Sequence, residues 1–310
     1  MSMSQSVLIC DQVNPVLNEI LEKNGLQITY EPEITPEQIL EKIENFHIIV
    51  VRSRTKITKD MIEKATKCQI IARVGVGLDN IDQAAAKEKN IRVINAVEGA
   101  MNAVAELVIG LMLSLAREIP RADREVRNGN WIKKELMGTE LRGKYLGIVG
   151  LGNIGKRLGR LARALNMNII GYDVVPIDEE FSSEVGLMKA DLGTLLSSSD
   201  YVSLHVPLLD STKHLINAEK MSTMKNTSRI INTSRGGVID EEALYEFLKD
   251  GKLGGAALDV FEVEPATSNK LASLPNFIST PHMGAQTKEA QSLAANVIAE
   301  KIIQILRGVT

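Results

Sequence analysis

The sequence predicts an α/β protein of two doubly wound parallel-sheet domains, and three observations predict it. Short apolar runs alternate with helix-period patterns from residue 7 to residue 94. The alternation resumes from residue 145 and continues to residue 279, the βαβα order of a parallel sheet covered by helices. At 310 residues the chain exceeds the usual size of one domain, so two are expected.

In the first hundred residues, 7–10 read as a strand, and Asn14-Pro15 offers an N-cap and first-turn proline to a helix ending near Gly25. Thr35-Pro36-Glu37-Gln38 has the form of a capping box for the next helix. Residues 47–51 are strand-like, Thr58 opens a helix, 69–74 are strand-like, 79–89 helical, and 91–94 form another short strand. Residues 100–127 read as one long helix. Val104, Leu107, Val108, Leu111, Met112 and Leu115 share a face, while Ile109 and Leu113 put apolar groups on the other side. A helix apolar nearly all round needs cover on more than one face, either inside the chain or from a second subunit.

The stretch 144–173, KYLGIVGLGNIGKRLGRLARALNMNIIGYD, reads as strand, glycine turn, helix and strand. In such a turn Gly150 permits the bend, Gly152 lets backbone approach a pyrophosphate, and Gly155 lets helix and strand pack closely. The helix start at Asn153 and Ile154 offers free N–H groups to phosphates. Asp173, 18 residues past Gly155, suits the adenosine ribose hydroxyls and repels a 2′-phosphate, so NAD is expected over NADP. Further strands are expected at 200–205, 229–233, 255–258 and 277–279, a helix at 240–248, and a last helix at 286–306 closed by Gly308.

Composition narrows the partners. Lys and Arg number 36 against 39 Asp and Glu, a formal net charge of −3, which offers no basis for nucleic-acid or anionic-membrane binding and suits a small metabolite. The two cysteines, Cys10 and Cys68, lack disulfide or metal-ligand spacing and read as buried reduced thiols, so no metal is expected and a cytoplasmic setting is. The opening MSMSQS lacks a signal peptide's basic and apolar regions, and no run of about 18 apolar residues suggests a membrane span.

Ligands of open parallel sheets bind outside the carboxyl ends of the strands. Three polar residues follow strands there: Arg235 in IINTSRGGVID, Glu264 in AALDVFEVEP and His282 in FISTPHMGA. Histidine is suited to carrying a proton near neutral pH, arginine to gripping a carboxylate with its planar fork, and glutamate to stabilising an imidazolium. His205, in SLHVP, also stands at a strand end and rivals His282 on spacing alone.

Together VRSRTKIT, RVGVGLDNID, GLGNIG, INTSRGGVID, AALDVFEVEP and TPHMGAQTKEAQ resemble the D-isomer-specific 2-hydroxyacid dehydrogenases over nearly the whole chain. The resemblance implies Arg235, Glu264 and His282 as the catalytic three. It implies a cofactor lining that adds His205, Val206, Pro207, Thr233, Ser234, Asp259, Gly284 and Ala285 to the glycine turn. It also implies substrate contacts from Arg52, Ser53, Arg54, the Val74-Gly75-Val76-Gly77 backbone and Asn102, with Arg52 and Arg54 supplying the charge for a phosphorylated 2-hydroxy acid. The architecture implied is a flavodoxin-like substrate domain of residues 1–98 plus 286–310 and an inserted Rossmann NAD-binding domain of residues 99–285. The assembly implied is a homodimer through the latter, with a tetramer left open. One departure stands out: Ala100 occupies a position where many relatives carry asparagine, so either the nearby Asn102 makes that contact instead or the contact is absent. No regulatory domain is expected after the last helix. Rival readings are a reductase of unphosphorylated keto acids on the same scaffold and a non-catalytic NAD(H)-sensing protein.

Overall fold

The computed structural model describes residues 5–308 and divides into two compact units, residues 1–101 with 285–310 and residues 102–284. The first unit runs β1 (Ser6–Ile9), α1 (Val16–Lys23), β2 (Gln27–Tyr30), α2 (Pro36–Lys42), β3 (Ile48–Val51), α3 (Lys59–Lys64), β4 (Ile70–Arg73), α4 (Gln83–Glu88) and β5 (Arg92–Asn95). Its five strands are all parallel in the order β2-β1-β3-β4-β5, the flavodoxin-like winding. Local chemistry fixes the helix starts. Thr35 and Gln38 form the reciprocal capping box, Thr58 caps α3, and Asp82 caps α4, so that helix begins four residues later than the apolar pattern implied. β2 escaped the sequence reading because it is an edge strand of four residues with no buried side chain.

The long helical segment is two helices, α5 (Val97–Arg117) and α6 (Ile119–Arg127), broken at Glu118, whose φ of 51° is left-handed. Pro120 explains the break. Its ring clashes with the carbonyl four residues back, and that group, Ala116 O, instead accepts from Thr139 N–H at 2.9 Å. By length and composition α5 is apolar enough to cross a membrane, although Glu98, Asn102 and Glu106 interrupt its apolar run. It serves as a core helix: Ala105, Val108, Leu111, Met112, Leu115 and Ala116 are buried in one cluster with Leu146, Ile148 and Ile231.

The second unit continues with β6 (Tyr145–Val149), α7 (Asn153–Ala164), β7 (Asn168–Tyr172), α8 (Glu179–Val185), β8 (Met188–Lys189), α9 (Leu192–Ser198), β9 (Tyr201–Leu204), α10 (Ala218–Ser222), β10 (Arg229–Asn232), α11 (Glu241–Lys249), β11 (Gly255–Leu258) and β12 (Phe277–Ser279). All seven strands are parallel, ordered β12-β11-β10-β9-β6-β7-β8, so the winding reverses between β6 and β9 as in dinucleotide-binding sheets. The last helix, α12 (Lys288–Leu306), returns to the first unit and buries Ala294, Ala295, Ile298 and Ile302 with Val7, Ile9, Ile48 and Ile70.

The start of α5 and α12 approach so closely that a Cβ on Gly99 would lie 2.8 Å from Ala294 Cβ and 2.9 Å from its Cα. Gly99→Ala is therefore expected to destabilise by about 1–3 kcal/mol, the usual cost of overpacking. The measurement is a lowered urea midpoint at unchanged m-value, and an unchanged midpoint would show that the helices separate freely.

Candidate active site

The winding reversal of the second unit puts the ends of β6 and β9 side by side. Gly150 is left-handed at φ 93°, and a Cβ there would sit 2.5 Å from His205 O. Gly155 is equally constrained, since its Cβ would lie 2.1 Å from Gly150 O. Gly152 differs: a Cβ there would meet nothing within 4 Å, and as N-cap of α7 it supplies no side-chain bond, leaving the first-turn N–H groups of Asn153 and Ile154 to an outside acceptor. Open space before an uncapped helix start fits a pyrophosphate. Asp173 closes β7 and ties the turn down, its Oδ2 accepting from Leu151 N–H at 2.7 Å and its Oδ1 from Val175 N–H at 3.2 Å. A carboxylate has about four lone-pair sites, so this leaves room for ribose hydroxyls.

Three loops at the carboxyl ends of the neighbouring strands β10, β11 and β12 carry Arg235, Glu264 and His282. Asn232, buried at the end of β10, shapes the first loop. Its Oδ1 accepts from Ser234 N–H and Oγ–H at 3.0 and 2.7 Å, and its Nδ2 donates to Arg235 O at 2.8 Å. A Cβ on Gly236 would fall 1.8 Å from Phe261 O, so this loop lies pressed on the next one. There Glu264 Oε1 accepts from Phe261 N–H at 3.1 Å, and Oε2 pairs with His282 Nδ1 at 2.9 Å. With Nδ1–H directed at the carboxylate, the neutral ring carries its lone pair on Nε2, and the His282 side chain is 53% exposed. His282 itself is left-handed at φ 52°, a conformation costly for a non-glycine residue and held by its surroundings.

Asp259 supplies part of that hold. Expected by resemblance among the cofactor contacts, it is buried, and its carboxylate accepts from Thr280 Oγ–H at 2.6 Å and from the Met283 and Gly284 N–H groups at 2.8 Å each, which occupies it with the His282 loop. Thr233 Oγ is buried without a partner among the described residues, a hydroxyl free for a ligand at the end of β10. His205 pairs through Nε2 with Ser203 Oγ at 2.9 Å, beside Val206, whose Cγ1 packs on Gly150. Pro207 O accepts from Thr212 Oγ–H at 2.6 Å. Ala285 falls in the first unit, just past the division.

In the first unit the two loop arginines part company. Arg54 makes more internal contacts: Nε pairs with Asp11 Oδ1 at 3.2 Å, Nη1 donates to Ile34 O at 3.1 Å, and Nη2 to the Cys10 and Pro32 carbonyls at 2.5 and 2.7 Å. Three backbone carbonyls and a carboxylate thus hold a side chain that is still 46% exposed. Arg52 keeps most of its fork, donating Nη2–H to Gln286 Oε1 at 3.0 Å. Its backbone N–H goes to Asp11 Oδ2 at 2.5 Å, and Ser53 between the arginines is exposed. Val74 N–H joins Val51 O, Gly75 O accepts from Ala96 N–H, and Val76 O accepts from Asn95 Nδ2 at 2.5 Å, while Gly77 follows half-buried. Asn102 lies on α5 in the second unit, and Ala100 lines a small cavity of the first. Asp11, Arg73, Asn232, Gln286 and Gln291 were passed over in the sequence. Asp11 and Asn232 had a legible signal, a polar residue directly at the end of an apolar strand.

A glycine-turn dinucleotide sheet with a Glu–His pair at its strand ends is the arrangement of nicotinamide-dependent dehydrogenases. A family model described as D-isomer specific 2-hydroxyacid dehydrogenase, NAD binding domain, matches residues 109–284, and the chain belongs to that family. It is 47% identical over 303 residues to the D-3-phosphoglycerate dehydrogenase of Methanocaldococcus jannaschii, covering 97% of this chain but 57% of that protein. It is also 47% identical over 290 residues to the hydroxypyruvate reductase of Thermotoga maritima, covering 93% of each. Among solved structures, a glyoxylate reductase from Paecilomyes thermophila superimposes with a TM-score of 0.90 at 30% identity, covering 97% of this chain and 95% of that one.

Burial holds the His205 imidazole down to about 4, so it is neutral at pH 7. An unfolded histidine titrates near 6.5, so as pH falls from about 6.5 towards 4 the unfolded chain gains a proton that the folded chain refuses, and stability is lost across that window and unaffected above it. The span is worth about 3 kcal/mol. His205→Gln is expected to lose less stability than the unsubstituted chain between pH 7.5 and pH 4.5 in urea unfolding; equal losses would show that the folded ring takes up protons freely.

Proposed function

We propose that the protein oxidises D-3-phosphoglycerate to 3-phosphohydroxypyruvate with NAD, a step of serine synthesis. The observation that carries the reading is the 2.9 Å Glu264–His282 pair, at the carboxyl edge of the sheet whose glycine turn accepts a dinucleotide. NAD, when bound, supplies the acceptor for the hydride leaving C2. His282 Nε2 takes the C2 hydroxyl proton while Glu264 stabilises the imidazolium, and Arg235 grips the substrate carboxylate. Asp173, Gly152, Asn153 and Ile154 hold the cofactor's ribose and pyrophosphate. Arg52 provides the cation for the phosphoryl group. The likeness to the archaeal phosphoglycerate dehydrogenase supports this substrate.

A second reading, reduction of hydroxypyruvate, has support of its own in the equal identity to the Thermotoga enzyme. The discriminating assay compares kcat/KM for 3-phosphoglycerate and D-glycerate with NAD and NADP. His282→Asn is expected to lower kcat by about 10² to 10⁴ while leaving NADH binding intact. Turnover unchanged in that variant would remove the acid/base assignment.

The reading includes a cytoplasmic homodimer formed through the second unit. Cys10 and Cys68 are both free and buried, which suits a reducing compartment. Helix α6 has no buried residue, and Ile119, Val126, Trp131 and Met137 are exposed, the last two by 81% and 87%. Such a run of bare apolar groups marks a surface with a partner. Trp131→Arg with Ile119→Arg is expected to halve the particle mass in light scattering, and an unchanged mass would move the interface elsewhere.

A further inference from the structure

Within the first unit, Arg52 stands in a setting that the proposed reaction leaves unexplained. Its Nη2–H goes to Gln286 Oε1, and the same oxygen accepts from Gln291 Nε2. Both neighbours of that oxygen are donors, so the Gln286 amide has only one useful orientation, oxygen toward the guanidinium. Gln286 precedes Thr287, the N-cap of α12, and Gln291 lies in the helix's first turn, so both amides sit on a rigid support. Beside them is a cavity of about 30 Å³ whose lining includes Arg52, Gln291, Asn14, Gly75, Gly99 and Ala100. Arg52 is the cation on that wall, and burial weakens its hold on its proton.

The choice of an amide is informative. A carboxylate at position 286 would hold the fork more tightly through a charge-assisted pair, but it would also cancel the positive charge. An amide oxygen fixes the direction of the fork without adding a second carboxylate to the nearby Asp11, whose charge already acts on Arg52. At Arg54 the arrangement differs, since its own guanidinium pairs with Asp11 Oδ1 at 3.2 Å and also donates to three backbone carbonyls. A dianionic phosphoryl group gains most from an oriented fork that has kept its charge, because it offers oxygens for two parallel bonds.

We propose that Gln286, steadied by Gln291, is a positioning residue that aims Arg52 at the phosphoryl end of the substrate and so sets the preference for phosphorylated over unphosphorylated 2-hydroxy acids. This rests on the reading of Arg52 as the substrate's cation. The test is calorimetric titration of the NADH-loaded enzyme with 3-phosphoglycerate and with D-glycerate, a measurement that needs no turnover.

Gln286→Glu is expected to weaken 3-phosphoglycerate about tenfold or more while changing D-glycerate and NADH affinities less than twofold. Gln286→Ala should weaken 3-phosphoglycerate in the same selective way but by less, because the charge survives and only its aim is lost. A general structural defect would instead weaken all three ligands together. If Arg52→Ala abolishes the preference but neither Gln286 variant changes it, the positioning role is wrong and the reading of Arg52 stands. If Arg52→Ala has no effect, or the unsubstituted chain binds the two acids equally, both fall.

Discussion

The site depends on parallel pairing. Because β10, β11 and β12 run in one direction and in register, Asn232 opposite Leu258 and Leu258 opposite Ser279, their three outgoing loops leave the same edge within a few residues of one another. An antiparallel neighbour would carry its loop to the far edge and leave Glu264 without His282. The pairing also explains why the loops need so little covalent length. Arg235 comes three residues after its strand and His282 three residues after its own, and buried side chains at the strand ends complete the placement. Asn232 and Asp259 spend their hydrogen-bonding capacity on the loop backbones, which is what makes burying them affordable in an otherwise apolar sheet.

Close approach is the second constraint, and it falls on glycine. At Gly150, Gly155 and Gly236 the obstacle to a side chain is a backbone carbonyl, which cannot turn aside as a side chain does. The first two bring the nucleotide turn against the neighbouring strand and helix. The third lays the Arg235 loop on the Glu264 loop. Gly152, in open space, is the exception, and its freedom is of use only to something that comes from outside.

Much of this was legible in the sequence. Strand–turn–helix–strand over 144–173 could be read because period and punctuation agree, and the capping box at Thr35 because it is a local pattern of four residues. Arg235, Glu264 and His282 were legible as polar residues placed just after apolar runs. What the sequence hid is what depends on distance. β2 and β8 are too short and too exposed to show an apolar run. The break at Glu118 was hidden by the apolar period continuing through it, although Pro120 announced it. Arg54 carries no local mark separating it from Arg52, since its partners lie 20 to 44 residues away along the chain.

That last pair illustrates how a fold sorts identical side chains. An arginine fork has five donors, and whichever group fills them decides whether the charge is available. The carbonyls at the end of β1 and around Ile34 and the buried Asp11 share donors, Thr55 and the Arg52 N–H serving Cys10 O and Asp11 alongside Arg54. Arg54 adds four contacts to that set and so ties the loop that carries both arginines to the segment around Ile34. If Arg52 serves the ligand as proposed, substituting either arginine would disturb it for different reasons: loss of Arg52 removes the charge, while loss of Arg54 removes the Asp11 pair and three carbonyl contacts from the loop that carries both. An effect on stability separates the two, and this makes a drop in ligand affinity alone an insufficient sign of direct contact at either position.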